Sequence, residues 1–462
     1  MEPKSLRQIA VAIGGFVWGP EETVVTGVGT DSRDTSAGEL FVALRGERFD
    51  GHQFIEAART RGASAALVET VNPRWPGFPQ IQVSDTLQAL QRLARIYRAE
   101  LTTRVIGITG SNGKTSTKEM VAAVLGVKYS VTKTEGNLNN HIGVPLSILR
   151  ADTSHQVAIW ELGMNHAGEI APLVDMAKPG YGIITNIGVA HIEFLGSRET
   201  IAREKAVLAE SIPASGVVIL NAEDEFSEWI SARCRARTIT AGIECGTVQA
   251  RQLLHRVDGE EFILSDESGE VSAFLPVPGE HMIRNAIQAV AIGRAFGLSL
   301  AQCAAGLSKT VIPGGRLRIK KLGQVLIIND AYNANPDSVI AALQTVARLP
   351  VKGRRIAALG YMGELGDQSL SGHERVGSAA AENGFDFLIA VGERAKPIAS
   401  ASFKAGLNQT RTVATQAEAA DALAEFLEPG DLLLVKGSRS AAMDQVIEQL
   451  EAVPQQVKWR SP

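Results

Sequence analysis

Short unbroken apolar runs, each followed by a helix-length amphipathic stretch, recur along most of this chain. The runs at 105–109, 157–162, 182–187 and 217–220 lack the in/out alternation of a half-exposed strand. They predict buried strands of a parallel sheet covered on both faces. Apolar positions at helical spacing predict helices over 87–101, 114–125 and 199–210. From about 248 to 278 the pattern changes to short alternating segments with Asp-Gly and Ser-Gly turns, which predicts a small antiparallel excursion. After Ile312-Pro313-Gly314-Gly315 the β/α alternation resumes, with strands expected at 325–328, 356–359, 387–391 and 432–435.

The first 85 or so residues are different: Gly-rich and mixed, with short strand-like runs at 40–44 and 65–68. The expected fold is therefore α/β in three domains. A small mixed α/β N-terminal domain spans 1–85, a central P-loop-type doubly wound domain 86–313, and a C-terminal Rossmann-like domain 314–462.

Composition changes this picture little. The 462 residues are 45% hydrophobic and 21% charged, an ordinary globular mixture. A net charge of −4 gives no basic footprint of the kind a nucleic-acid binder carries. Cys234, Cys245 and Cys303 are scattered, without zinc or disulfide spacing, which suits a reducing compartment. The N-terminus lacks a charged and then apolar leader, and no apolar run approaches the roughly 18 residues of a membrane helix. A cytoplasmic protein without membrane insertion is expected.

The strongest chemical signal directly follows the run at 105–109. Thr109-Gly110-Ser111-Asn112-Gly113-Lys114-Thr115-Ser116 joins an expected strand to an expected helix. Glycines let backbone amides approach phosphate oxygens, and the helix N-terminus adds partial positive charge. Lys114 has the reach for the β/γ phosphates, and the Thr115 hydroxyl can ligate Mg²⁺. The strict G-x-x-x-x-G-K-[ST] pattern would place glycine at 108, where this chain has Ile108, so the loop is a variant. The alternative, a plain strand–helix turn with an incidental lysine, does not account for the intact Gly-Lys-Thr in this context.

A nucleotide site also needs metal ligands, which in a parallel sheet belong at the carboxyl ends of neighbouring strands. Glu161 closes the run at 157–162, in the position of an acidic Walker-B-type residue, although a surface acid or helix cap would look the same. His191 follows the run and loop at 184–190 and is a ligand candidate by position. Lys205 lies in the helical stretch 199–210; taken alone it reads as a solvated lysine.

The order of these segments resembles the Mur ligases. The resemblance rests on Gly110-Ser111-Asn112-Gly113-Lys114-Thr115, then Asn137-Leu138-Asn139-Asn140-His141-Ile142-Gly143-Val144-Pro145, then Glu161-Leu162-Gly163, His191 and Lys205. Thr30-Asp31-Ser32-Arg33, the segment from Glu161 to Ile170, and Asp330-Ala331-Tyr332-Asn333-Ala334-Asn335-Pro336-Asp337-Ser338 resemble one branch within that family. That branch joins D-alanyl-D-alanine to UDP-N-acetylmuramoyl-tripeptide with ATP. The resemblance covers essentially the whole chain.

It implies roles residue by residue. Thr115 and Glu161 would hold one Mg²⁺, while His191 and a carbamylated Lys205 would serve a second. Asn285 would contact adenine, Arg316 the phosphates and Asp330 the ribose; Met282 stands where the family usually has a second asparagine. Ser32, Arg33, Arg45, Asp50, Gly51 and His52 would grip the uridine diphosphate, since arginine forks and backbone amides match pyrophosphate oxygens. Asn137, Asn139 and Asn140 would line the way to the peptide end, although Asx-turn roles suit them equally. Tyr332, Asn333 and Asn335 would face substrate from the third domain. Family precedent also implies a monomer.

Three other readings stand at this point, of which a non-catalytic nucleotide-sugar binding protein is disfavoured because Lys114, Thr115, Glu161 and His191 are all intact. The lysine- or diaminopimelate-adding Mur enzymes and folylpolyglutamate synthase share the superfamily; the Asp-Asn-Pro-Arg segment usual in the diaminopimelate-adding enzyme is missing here. A P-loop switch or motor would show a strict Walker loop and no uridine-binding domain. Whether the tripeptide ends in lysine or diaminopimelate is left open.

Overall fold

The computed structural model describes residues 1–46, 49–453 and 459. It contains three main sheets, and the chain visits them in sequence order.

The N-terminal sheet runs in the order Phe16–Trp18, Gln80–Gln82, Ala65–Val68, Glu39–Val42, Gly27–Gly29, parallel except at the Phe16–Trp18 edge. Helix Thr86–Glu100 then ties it to the rest of the molecule. Asp85 caps its first turn by accepting from the Gln88 amide, and Ala89, Leu90, Leu93, Ala94 and Tyr97 form its buried face. Across the junction, Tyr97 donates to the Ala151 carbonyl (2.8 Å) and Arg98 to the Ala177 carbonyl (2.9 Å).

The central sheet has nine strands. Seven are parallel neighbours, in the order Val248–Arg256, Arg237–Ile243, Val217–Asn221, Tyr181–Ile184, Arg104–Thr109, Val157–Glu161, Val131–Lys133. Gly259–Asp266 and Gly269–Leu275 extend it as an antiparallel edge. The expected excursion is thus antiparallel but belongs to the same sheet. After Val157–Glu161 the chain crosses to the other side of Arg104–Thr109, so this strand marks the switch point where ligands of doubly wound sheets bind.

The C-terminal sheet runs Arg318–Leu322, Val325–Asp330, Leu432–Lys436, Arg355–Gly360, Phe387–Val391, Thr410–Val413, parallel but for the first hairpin. Among the described residues no helix is long and apolar enough to cross a membrane.

The expected strand at 182–187 stops at Ile184, because Thr185 and Asn186 turn out of the sheet to bond the phosphate loop. Val131–Lys133, Arg237–Ile243 and Thr410–Val413 form strands that the hydropathy pattern did not predict. Each is rich in polar or charged residues and lacks the continuous apolar run that marks a buried strand.

Candidate functional site

The loop at the switch point owes its shape to two glycines. Gly110 has φ 149°, and a Cβ there would fall 1.8 Å from Thr185 Oγ1. Gly113 has φ 82°, and its Cβ would fall 2.5 Å from Asn285 Oδ1. Both positions therefore exclude a side chain on conformational and steric grounds. Neighbouring strand ends brace the loop: Thr185 Oγ1 donates to the Asn112 carbonyl (2.5 Å), and the Ser111 and Asn112 amides donate to Asn186 (2.9 and 3.0 Å). Ser111 Oγ accepts from the Gly188 amide (2.8 Å). Thr109 and Ser116 are buried at either end of the loop.

Helix Lys114–Leu125 begins immediately after Gly113, so its free amides open onto the loop. Lys114 curls back and donates to the Gly110 carbonyl (2.7 Å). Burial lowers the pKa of its ammonium from the ordinary lysine value, against the opposing pull of Glu161.

Thr115 and Glu161 meet at the next position inward. Thr115 Oγ1 donates to Glu161 Oε2 at 3.0 Å, and Asn139 Nδ2 donates to Glu161 Oε1 at 3.0 Å. Arg316, from the C-terminal domain, donates to the same Thr115 hydroxyl (3.2 Å). The carboxylate is only 2% exposed, yet Lys118 Nζ stands 3.8 Å from Oε2 and shares its charge with Glu119 at 3.3 Å. A hard-oxygen pair at the end of a phosphate loop is the donor set magnesium uses, completed by phosphate oxygens and water. Among the described residues no group of three or more His, Cys, Asp or Glu would hold a metal without such help.

His191 and Lys205 lie at the adjoining strand end and helix. His191 caps the short helix Ile192–Leu195 at φ 61°, a left-handed conformation rare outside glycine. Its Nδ1 is 2.6 Å from Glu364 Oε2 of the C-terminal domain. The two atoms are in close contact, although Nδ1 has no hydrogen bond of regular geometry. Lys205, in helix Arg198–Ser211, is 1% exposed. Burial, reinforced by the Lys114 charge, holds its amine well below the ordinary lysine range. It is therefore far from the solvated lysine that its sequence context suggests.

The C-terminal domain contributes more than Arg316. The Arg316 guanidinium stacks on Tyr332, 3.7 Å from the ring centre. Asp330 accepts from the Leu317 amide (3.1 Å) and pairs with Lys436 (2.6 Å), whose Nζ also donates to the Asn333 carbonyl (3.0 Å). Burial raises the Asp330 carboxyl despite Lys436. Asn335 donates to Asn112 of the phosphate loop at 2.8 Å. Asp337 accepts from the Val189 amide at 3.1 Å. Asn285 stands beside Gly113, and Met282 Sδ lies 3.9 Å from its amide, occupying the side where a second asparagine was expected.

Asn137 is exposed and its carbonyl accepts from Asn139 (2.7 Å). Asn140 Oδ1 accepts from the Ile142 and Gly143 amides (3.1 and 2.9 Å), an Asx turn that starts helix Gly143–Arg150. Of this trio only Asn139 reaches Glu161.

The N-terminal candidates form a separate, open patch. Arg33, its side chain 85% exposed, is clamped by Asp31 through Nε and Nη2 (2.9 and 2.7 Å). That fork holds the Asp31 carboxyl down at about 2. Ser32 is buried between them in sequence. Arg45 pairs with Asp50 (3.3 Å) and Glu69 (3.2 Å). Asp50 accepts from the His52 amide and lies 2.6 Å from its Nδ1, while His52 Nε2 accepts from the Glu69 amide (2.9 Å). A Cβ on Gly51 would strike the Leu44 carbonyl at 2.6 Å.

Lys118, Glu119, Thr185, Asn186, Asp337 and Glu364 escaped the sequence reading. Lys118 and Glu119 carried a usable signal, being one helical turn beyond the loop lysine on the same helix. The others act through long-range contacts with no local mark. Of two surface cavities of about 490 and 390 Å³, the first is lined around Arg251 and Asp266 by none of these residues, and the second, around Tyr129 and Lys309, borders Glu119.

Comparison with known proteins accords with this geometry. Residues 108–293 match the model of the Mur ligase middle domain, 315–439 that of the Mur ligase glutamate ligase domain, and 24–98 that of the Mur ligase family catalytic domain. A UDP-N-acetylmuramoyl-tripeptide–D-alanyl-D-alanine ligase of Bacillus subtilis is 37% identical, over 98% of this chain and 100% of its own. A crystal structure of MurF from Acinetobacter baumannii superposes with a TM-score of 0.89 at 34% identity, covering 98% of this chain and 99% of its own. The MurF ligase of Thermotoga maritima in complex with ADP gives 0.81 at 27% identity, covering 93% and 97%. The chain belongs to the Mur ligase family, in the branch of the UDP-N-acetylmuramoyl-tripeptide–D-alanyl-D-alanine ligases.

Proposed function

We propose that this enzyme uses ATP to join D-alanyl-D-alanine to UDP-N-acetylmuramoyl-tripeptide, releasing ADP and phosphate. The observation that carries the reading is the convergence on one hydroxyl: Thr115 bonds Glu161 at 3.0 Å and receives Arg316 from the opposite domain at 3.2 Å. That arrangement suits a triphosphate held between two domains rather than on one. The ADP complex of the Thermotoga maritima relative supports the same choice of nucleotide.

The roles divide by domain. Residues 1–85 hold the UDP-linked substrate through Ser32, Arg33, Arg45, Asp50, Gly51 and His52. Residues 86–313 hold the nucleotide through the loop from Thr109 to Ser116, with Asn285 toward the base. Residues 314–462 bring Arg316 to the phosphates, Asp330 to the ribose, and Tyr332, Asn333 and Asn335 to the amino substrate.

The tripeptide carboxylate is a poor electrophile, because direct attack would expel oxide. Transfer of the γ-phosphoryl group to it creates an acyl phosphate with a good leaving group. Lys114, Arg316 and the loop amides stabilise the charge that spreads over the transferring oxygens. Asn139 and Lys118 keep Glu161 in place while this happens. The neutral amine of D-alanyl-D-alanine then attacks, and the tetrahedral adduct collapses to amide and phosphate. Thr115 and Glu161, and His191 with a carbamylated Lys205, would hold magnesium, which would supply charge neutralisation at the phosphates.

Burial supports the carbamate. Lys205 has no ion-pair partner among the described residues and feels the Lys114 charge, so a neutral amine open to CO₂ is favoured there. The resulting carbamate anion would also complement Lys114.

Phosphate release from ATP, measured with the UDP-tripeptide and each amino substrate offered separately, tests the reading. Release that depends on D-alanyl-D-alanine is expected. Release independent of any amino substrate would instead mark a nucleotide hydrolase, and dependence on a single amino acid would mark a different ligase.

A further inference from the structure

Glu364 occupies a position that no nucleotide-binding role explains. It lies on the loop 361–365, after strand Arg355–Gly360 of the C-terminal domain, yet it reaches across to the central domain. Its carboxylate stands 2.6 Å from His191 Nδ1, and its carbonyl accepts from the Glu193 amide at 3.4 Å. One residue thus grips both ends of the turn that carries His191.

The loop is built to hold this pose. Met362 and Leu365 flank Glu364 and are buried, at 0% and 3% exposure, while Glu364 itself points outward. His373 Nε2 accepts from the Met362 amide at 2.9 Å, and its Nδ1 lies 2.6 Å from the Ser369 carbonyl. The Tyr361 carbonyl accepts from Ser438 at 3.0 Å. Between these anchors Glu364 is forced to φ 61°, the same left-handed value as His191 opposite it. Left-handed backbone at a non-glycine residue is strained and persists only where the surroundings fix it. Two such residues in contact across a domain boundary are more than an exposed charge pair alone accounts for, since such a pair adds little to stability.

An imidazole can ligate through only one nitrogen at a time, and which one is set by the partner of the other. A carboxylate on Nδ1 keeps the proton there and leaves Nε2 as the ligating nitrogen. We propose that Glu364 is a positioning residue: brought in by the C-terminal domain, it fixes the tautomer and orientation of His191, so that this ligand is competent only when the two domains meet. The irregular geometry of the ligand-free contact fits this role, since such bonds tighten when substrates assemble the site. The proposal rests on the ligase reading for the reaction it serves, but not for the tautomer it predicts.

The test compares the full-length enzyme with Glu364→Ala and Glu364→Gln, the latter keeping an acceptor oxygen. Nitrogen NMR of the isotope-labelled His191 ring reads the tautomer directly. The native enzyme and Glu364→Gln are expected to hold the proton on Nδ1, and Glu364→Ala to show a mixture with Nε2–H. In Glu364→Ala the magnesium concentration for half-maximal activity should rise, and kcat fall, by about 10–100-fold, with KM for the UDP-substrate unchanged. Glu364→Gln should recover most of that loss. An unaltered tautomer in Glu364→Ala, or an equal loss in both variants, would overturn the proposal. Absence of dipeptide-dependent phosphate release by the native enzyme would instead overturn the ligase reading, leaving the tautomer result standing.

Discussion

The two anion-binding regions of this enzyme are built on opposite principles. At the phosphate loop, most polar side chains are buried or part-buried and braced in place: Glu161 has donors on both oxygens, Lys118 is 1% exposed, and the residues after strand Tyr181–Ile184 hold the loop backbone. On the N-terminal domain, Arg33 and Arg45 are more than half exposed and pair with acids of their own domain. The first site is organised before ligand arrives, so its contribution falls on the reaction step. The second must exchange Asp31, Asp50 and Glu69 for pyrophosphate oxygens, so its contribution falls on binding.

Substitutions on each side sharpen or break that contrast. The largest effect is expected at Lys118→Ala, which leaves Glu161 as a buried, under-compensated charge and Glu119 with Lys133 alone; unfolding free energy should drop by about 3–5 kcal/mol in a denaturant titration. Lys114→Ala should lower kcat by about 10²–10³-fold while calorimetry finds UDP-substrate affinity unchanged. Normal turnover by that variant would remove the phosphate-loop assignment. Lys205→Ala should lose activity that short carboxylic acids partly restore, since a free carboxylate can replace the carbamate; without restoration the carbamate, though not the ligase, is lost. Arg33→Ala should raise KM for the UDP-substrate about tenfold with kcat intact, as expected for one charge-assisted contact. A fall in kcat there would erase the distinction between the two regions.

The smallest effect is a titration. Asp31 is depressed from 3.8 to about 2 by the Arg33 fork. The stability this pair adds is present above the ordinary carboxylate value and is lost as pH falls through about 2. Carbon NMR of the Asp31 carboxyl should find its midpoint near 2 in the native protein and higher in Arg33→Ala, where only the backbone amide of residue 33 still donates.

How much of this was legible beforehand follows the same division. The phosphate loop could be read because its strand, its glycines and its helix are contiguous, and each leaves a local mark: an apolar run, a Cβ-free position, a helical period. The strands at 65–68 and 387–391 and the helix at 114–125 were legible to the residue for that reason. Arg237–Ile243 and Thr410–Val413 were not, because they are rich in polar or charged residues and lack the continuous apolar runs that mark the inner strands. Lys205 looked solvated because its helix has a mixed surface pattern; only the packing of that helix against the sheet buries it. Glu364 had no mark at all, and Asp337 stood in the 330–338 segment without a role, since their meaning lies in contacts with residues 191 and 189, well over a hundred positions away.

The central claim is that the terminal phosphate of ATP passes to the tripeptide carboxylate before the dipeptide attacks. Heavy-isotope oxygen in that carboxylate tests it in a single turnover analysed by mass spectrometry. The account predicts one labelled oxygen in the released phosphate together with a product lengthened by D-alanyl-D-alanine. Unlabelled phosphate alongside the same product would contradict it.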